Sequence, residues 1–351
     1  MVTHVPYLSL VIPTHNRAPS LKRLLDSLLP LQQEALIEIV VVDNNSKDAT
    51  AELAKSYGTL VRYIFEGSTS FTRARHTGAL HACGEVLVYL DDDVIVREGT
   101  LAAVEELFKR RPECGVASGK ILPMFEQEPS EWVLELQRSF NGWSLFDLGD
   151  KEVDTLSVPG PLMAIRKKVY EQVGGFPPDT LGVETNNANK TFKKLYVGPG
   201  DYGFCRLCTD AGYKVVYNPK MSVYHVIPPV RLTREFWLSR MIGEGHCAAL
   251  TKRNMSQFND ITLRNKFENI RKEWRHFWRA KIKRLKGAKD PLISDEMWYE
   301  YYRSMHSMGK VLDKNQGLSS YIWQLGKVGV QDNDFDYVVK QLPQAYRELA
   351  L

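Results

Sequence analysis

Val86-Leu87-Val88-Tyr89-Leu90-Asp91-Asp92-Asp93 is the stretch that decides the fold. Five apolar residues of good strand-forming type, uninterrupted, suit a strand buried on both faces, as in a parallel sheet covered by helices. The three carboxylates that follow repel one another, and no stability argument gathers them. A hard divalent cation does: oxygen ligands suit Mg2+ or Mn2+, and such an ion can bridge to substrate phosphates. On extended backbone alternate side chains point the same way, so Asp91 and Asp93 are expected to share a face. The alternative is a solvated loop with a capping aspartate ahead of a helix at Thr100.

Working outward, the same rhythm repeats. Leu8 to Ile12, Glu38 to Val42, Val61 to Phe65 and Glu85 to Leu90 have strand character. Between them, Ser20 to Leu29, Asp48 to Tyr57 and Thr69 to Ala82 have helical character. In the first helix Leu21, Leu24, Leu25, Leu28 and Leu29 line one face, and Ser20 is the expected N-cap. Strand, helix, strand in this order predicts right-handed βαβ units and an α/β fold. Ligands bind beyond the carboxyl ends of the strands in such sheets. Strand one is followed by Thr14-His15-Asn16-Arg17, strand two by Asp43-Asn44-Asn45-Ser46, and strand four by the aspartate triplet. Three polar clusters on one sheet edge predict a site. From about Gly115 to Pro228 the pattern becomes α+β, with Leu181 to Lys194 expected to be a polar, mobile loop. Beyond Arg231 the chain is expected to be helical and basic.

The bulk numbers narrow the class. A chain of 351 residues with 44% hydrophobic and 25% charged residues carries a full core and is not disordered in bulk. Its five cysteines are scattered and odd in number, which argues against a disulfide framework and for a reducing compartment. Cys205 and Cys208 have metal-type spacing without a second pair, so two half-buried cysteines on one helix are expected. No window approaches a membrane span, and the start of the chain does not have signal-peptide character. A cytoplasmic protein is expected, with the inner face of the membrane as a candidate location.

Three ordered stretches, LSLVIPTHNR, IEIVVVDNNSKDAT and TRARHTGALHACGEVLVYLDDD, together resemble the nucleotide-binding half of family 2 glycosyltransferases with the GT-A fold. VPGPLMAIRKKVYEQVGGF is similar to that family's acceptor-side segment, and GPGDYGFCRLCTDAGYKVVYNP to its catalytic-base segment. The resemblance covers roughly residues 7 to 230. It implies a Rossmann-like mixed sheet with a mainly helical C-terminal extension. Residues 1–235 would form the catalytic domain, 1–114 its nucleotide-sugar half and 115–235 its acceptor half, with 236–351 as the extension. The implied activity is inverting transfer of a sugar from a UDP-, GDP- or dTDP-sugar to a glycan or lipid-linked acceptor, with Mn2+ or Mg2+.

The resemblance also implies roles. Pro13 and Thr14 would shape the wall beside the base, with Arg17 nearby. Asp43 would accept a hydrogen bond from the nucleobase; by its sequence alone it could equally form an Asx turn. Arg75 would reach the base or diphosphate, although His76 stands where the family usually has Asn. Arg73 is a second basic candidate, or a merely solvated one. Asp93 is the implied metal ligand, Asp91 a contact to the nucleoside or metal, and Asp92 a supporting group. His225, after a strand-like Met221 to Tyr224, would contact metal or diphosphate, and Arg231 would clamp the leaving group. The family's Glu-Asp pair is here Gly200-Asp201, so Asp201 is the expected general base. Glu184 is its rival, and a simple helix cap the alternative for Asp201.

Two other classes stay open. A nucleotidyltransferase would want a glycine-rich loop after strand one, and Pro13 to Arg17 holds no glycine. A noncatalytic glycan- or membrane-binding module would leave the aspartates unexplained. Residues 264–289 are strongly basic with interleaved aromatics at helical spacing. They suit either an anionic membrane surface or packing on the catalytic domain, and no nucleic-acid motif accompanies them. The aromatic run Met297 to Tyr302 suits a sugar cleft or a helical bundle, and Phe335 to Leu349 a final helix.

Overall fold

A computed structural model describes residues 6–33, 36–67, 70–177, 180–183, 193–196, 200–255, 271–272, 274–279, 282 and 292–314. Glu184, most of 264–289 and all of 335–349 lie outside these residues. The chain divides into two compact units. The first holds Met1–Met124, Ser144–Phe176 and Gly200–Val226; the second holds Phe125–Trp143, Pro177–Pro199 and Ile227–Leu351.

The first unit opens as the sequence predicts: β1 (Leu8–Thr14), α1 (Ala18–Leu28), β2 (Ile37–Asp43), α2 (Thr50–Ser56), β3 (Arg62–Phe65), α3 (Phe71–His81) and β4 (Val86–Leu90). β1 pairs in parallel with both β2 and β4, and β2 with β3. Then come β5 (Val94–Val96), α4 (Thr100–Arg110), β6 (Cys114–Phe125), β7 (Val153–Thr155), β8 (Leu162–Arg166) and α6 (Lys167–Val173), with α5 (Glu131–Ser139), a second-unit helix, between β6 and β7 in the chain. A further helix and strand, α7 (Gly200–Asp210) and β11 (Lys214–Ile227), follow a hairpin described below. β8 runs antiparallel to β4, so the sheet is mixed, in the order β3-β2-β1-β4-β8-β6-β11-β5 with β7 beside β11.

The strands are apolar on both faces because both faces are covered. Leu8, Leu10 and Ile12 of β1 pack with the α1 leucines and with Leu101, Val104 and Phe108 of α4. The alternate residue Val11, with Leu87, Tyr89 and Met163, packs under Ala79 of α3, Tyr170 of α6 and Phe204 of α7. Burial at about 25 cal/mol per Å2 of apolar surface makes this two-sided core the main stabilising term. Gly78 lets α3 sit down on the sheet, since a Cβ there would meet Val11 Cγ1.

Several expectations need correction. Helix α1 starts at Ala18, not at Ser20. Arg17 holds the cap position without a side-chain bond, Pro19 sits in the first turn, and the Ala18 N–H donates to Asp48 Oδ2 at 3.1 Å. Proline suits a first turn because its missing N–H has no partner to lose. Cys205 and Cys208 are fully buried, not half-buried. Lys214 to Ile227 is one continuous strand, so His225 lies within it and pairs with Val94.

The second unit contains α5, the antiparallel pair β9 (Thr180–Val183) and β10 (Lys193–Tyr196), α8 (Arg234–Met255) and α9 (Leu292–Lys314). The two strands replace the ends of the expected loop. Gly245 brings α8 against α9, where a Cβ would stand 3.0 Å from Met305 N. Met297, Met305 and Met308 are buried, so the aromatic-rich run serves a helical pair. Trp237 is buried edge-on against Trp143.

Candidate functional site

The triplet lies just past β4, but not on extended backbone. Val94 N–H donates to Asp91 O at 3.3 Å, closing a turn over Asp91 to Asp93. The strand geometry behind the expected shared face therefore does not run through the triplet. Side-chain partners organise the carboxylates instead. The helix at Thr100 is preceded by Gly99, at φ 78, so no aspartate caps it and the bland explanation of the triplet fails.

Arg17 Nη1 donates to Asp92 Oδ1 at 3.0 Å and to Asp93 Oδ2 at 2.8 Å. Thr14 Oγ1 donates to Asp92 Oδ2 at 2.7 Å. Thr14 and Pro13 end β1 in register with Asp43 and Val42, which is how the first two strand ends come together. On its other side Asp93 Oδ1 lies 3.2 Å from His225 Nε2, and Val226 N–H donates to the Asp93 carbonyl at 2.9 Å. Asp92, Asp93 and His225 are all buried.

Asp91 is the more open of the three, with its carboxylate 3.9 Å from Arg75 Nη2. Burial, reinforced by Asp93 and Asp201 and opposed by Arg75 and His225, pushes its carboxyl up to about 6. Arg75 also donates from Nη1 to Asp201 Oδ1 at 2.6 Å. Its guanidinium lies over Phe71 at 4.2 Å and Phe176 at 4.7 Å. Asp201 lies in the first turn of α7, and its Oδ1 is held in this ion pair.

Asp43 is buried and both its oxygens are engaged. Ser46 N–H donates to Oδ1 at 2.8 Å, which is the Asx turn, and Tyr63 OH donates to Oδ2 at 2.8 Å. Tyr63 comes from β3 and was not legible as a site residue. Arg73 is not merely solvated: Nε pairs with Glu66 Oε1 at 3.2 Å, and Thr77 Oγ1 donates to Glu66 Oε2 at 2.6 Å. His76 bonds Tyr170 OH through Nδ1 at 2.7 Å, and burial lowers its pKa to about 4. Arg231 belongs to the second unit, where its carbonyl accepts from Trp143 Nε1 at 3.3 Å.

The donor set suits a hard divalent ion in part. Arg17 and Arg75 are each shared between two carboxylates, so the cluster carries more negative than positive charge. Asp93 Oδ1 and His225 Nε2 are close enough to bind one ion side by side. Among the described residues no group of three or more His, Cys, Asp or Glu side chains is disposed to hold a metal ion. An ion here would take few protein ligands and fill its shell with phosphate oxygens and water, as Mg2+ commonly does.

Known proteins fit this picture. A profile of the family described as Glycosyl transferase family 2 matches residues 9–174. Glycosyltransferase AglE of Haloferax volcanii is 31% identical over 236 residues, covering 65% of this chain and 70% of that protein. Validoxylamine A glucosyltransferase of Streptomyces hygroscopicus subsp. jinggangensis is 40% identical over 99 residues, covering 26% of this chain and only 23% of that relative's length. Among solved structures, mannosyltransferase PcManGT from Pyrobaculum calidifontis, in complex with GDP-Man and Mn2+, superposes with a TM-score of 0.50 at 17% identity, over 99% of this chain and 87% of that one. At that identity the likeness concerns the fold alone. With the mixed sheet, the ordered motifs and these relatives together, the chain belongs to glycosyltransferase family 2 and has the GT-A fold.

Proposed function

We propose that this protein transfers a sugar from a nucleoside-diphosphate sugar to a hydroxyl acceptor, with inversion and with a divalent metal. The observation that carries the proposal is the joining of two carboxylate sites by a short ion-pair network. Asp92 and Asp93 share Arg17, and Arg75 reaches from Asp91 to Asp201. Asp93 and His225 would hold Mn2+ or Mg2+, with the Asp91 carboxylate close to Asp93 in sequence. When bound, the ion would supply positive charge beside the leaving diphosphate.

The chain's own residues do the rest. Pro13 and Thr14 at the end of β1, with Asp43, would border the nucleobase, and Asp91 the ribose. Arg17 orients Asp92 and Asp93 by donating to both. Asp201 would take the proton of the acceptor hydroxyl. The acceptor oxygen then forms its bond to the anomeric carbon, and the carbon–oxygen bond to the diphosphate breaks with its electron pair on the diphosphate. Asp201 is proposed as the base because Arg75 links its carboxylate to that of Asp91. The domain assignment, 1–235 catalytic and 236–351 an extension, goes with this proposal.

A lipid-linked acceptor is favoured over a free glycan by the second unit. Described residues between 271 and 282 are helical, with Trp274, Trp278 and Ile282 54%, 50% and 48% exposed. Arg271, Arg275 and Arg279 are exposed alongside them. His276 turns inward, stacking on Tyr302 at 5.8 Å. An apolar stripe beside a row of cations suits an anionic lipid surface. No helix among the described residues is long and apolar enough to cross a membrane.

The donor assignment is tested by thermal unfolding with UDP, GDP and dTDP, each with Mn2+. A bound nucleotide stabilises by RT ln(1 + [L]/Kd), so ligand at a hundredfold excess over Kd adds about 2.7 kcal/mol. One of the three is expected to raise Tm by several degrees only when the metal is present. No rise with any of them, at millimolar concentration, contradicts the proposal.

A further inference from the structure

Arg75 comes from α3 and Asp201 from α7, and they meet beneath Gly160 in the segment Val158-Pro159-Gly160-Pro161. A Cβ on Gly160 would collide with Arg75 Nη2 and stand 2.6 Å from Asp201 Oδ2. Pro161 beside it accepts from the Asp91 N–H at 3.4 Å, so one loop abuts both carboxylates that Arg75 reaches. Arg75 is itself fixed. It is 2% exposed, lies over the Phe71 and Phe176 rings, and its carbonyl accepts from Tyr89 OH at 3.2 Å. A buried guanidinium in an aromatic cradle has little freedom to follow a substrate.

We propose that Arg75 is the positioning residue of Asp201, and that Gly160 is the clearance that makes their contact possible. This rests on Asp201 being the base. Arg75 holds Asp201 Oδ1, leaving Oδ2 to take the acceptor proton, and it fixes the base relative to Asp91 on the donor side. The rival role, in which Arg75 grips the base or diphosphate of the donor, predicts a different kinetic signature. A positioning residue lowers turnover, whereas a donor clamp lowers donor affinity as well.

The test is Gly160→Ala, which keeps every charge and both partners. UDP-, GDP- and dTDP-sugars are supplied with Mn2+, and release of nucleoside diphosphate is followed. Dissociation constants for UDP, GDP and dTDP are measured alongside. G160A is expected to lower kcat at least tenfold, with nucleotide Kd and donor KM within about twofold in protein that unfolds cooperatively. Arg75→Lys, which keeps the charge but loses the fork, is expected to show the same split, and it replaces G160A should that variant not fold. Unchanged kcat, or a fall in kcat matched by an equal loss of nucleotide affinity, overturns the inference. Asp201→Asn separates the two levels. Wild-type turnover in D201N removes the base assignment and the inference with it. Slow D201N beside normal G160A and R75K removes only the positioning role.

Discussion

Asp92 and Asp93 are two neighbouring buried carboxylates on one guanidinium, and that arrangement is readable only in three dimensions. Arg17 reaches them across 75 and 76 residues of sequence, and Arg75 reaches Asp201 across 126. The sequence therefore named the participants through their motifs, while their pairings depended on tertiary packing that no spacing encodes. Tyr63 was missed because a tyrosine in a strand is ordinarily core. His76 shows the same limit, since its bond to Tyr170 spans 94 residues. That bond carries a prediction. The folded pKa of His76 is near 4, below the ordinary 6.5, because burial disfavours the cation. The unfolded chain thus protonates first, and stability is present above pH 6.5 and lost as pH falls toward 4. The slope is at most about 1.4 kcal/mol per pH unit for each such histidine. His246 in α8, also lowered to about 4 by burial, acts in the same direction. Urea unfolding between pH 7 and 4.5 is expected to show a shallower loss in His76→Asn than in wild type. An identical slope in the two contradicts it.

At the scale of elements, the first four strands and three helices were legible because each carries its own periodicity. The boundaries were less so. Ser20 looked like a cap, but Pro19 and the Asp48 contact moved the start of α1 to Ala18. The antiparallel β8 was hidden in an apolar stretch, since a strand buried on both faces reads alike in either direction. The α3–sheet contact yields a second prediction. Gly78→Ala gains about 1 kcal/mol of helix propensity. Its Cβ would meet Val11 Cγ1 and lie 3.2 Å from Val42 Cγ2, both on fully buried side chains that cannot yield. Overpacking of this kind costs about 1–3 kcal/mol. Denaturant titration is expected to show a net loss of stability; a stabilised variant would mean that α3 shifts freely on the sheet.

At the scale of the molecule, the chain joins a donor-side α/β unit to a helical second unit whose exposed aromatics sit among arginines. If that stripe meets lipid, binding should follow surface charge. Sedimentation with vesicles is expected to recover the protein with phosphatidylglycerol-containing lipid at low salt, and much less with phosphatidylcholine or at 0.5 M NaCl. Trp274→Glu with Trp278→Glu should abolish recovery; equal recovery with both lipids contradicts an electrostatic contribution.

The central claim is that the triplet after β4 works with a divalent ion on a nucleotide-sugar. Its most direct measurement is release of nucleoside diphosphate from a panel of UDP-, GDP- and dTDP-sugars, with Mn2+ or with EDTA, by wild type and Asp93→Ala. The account predicts turnover of at least one donor by wild type with Mn2+, loss of it in EDTA, and a fall of a hundredfold or more in D93A with the fold intact. Full activity in EDTA, or wild-type turnover in D93A, would contradict it.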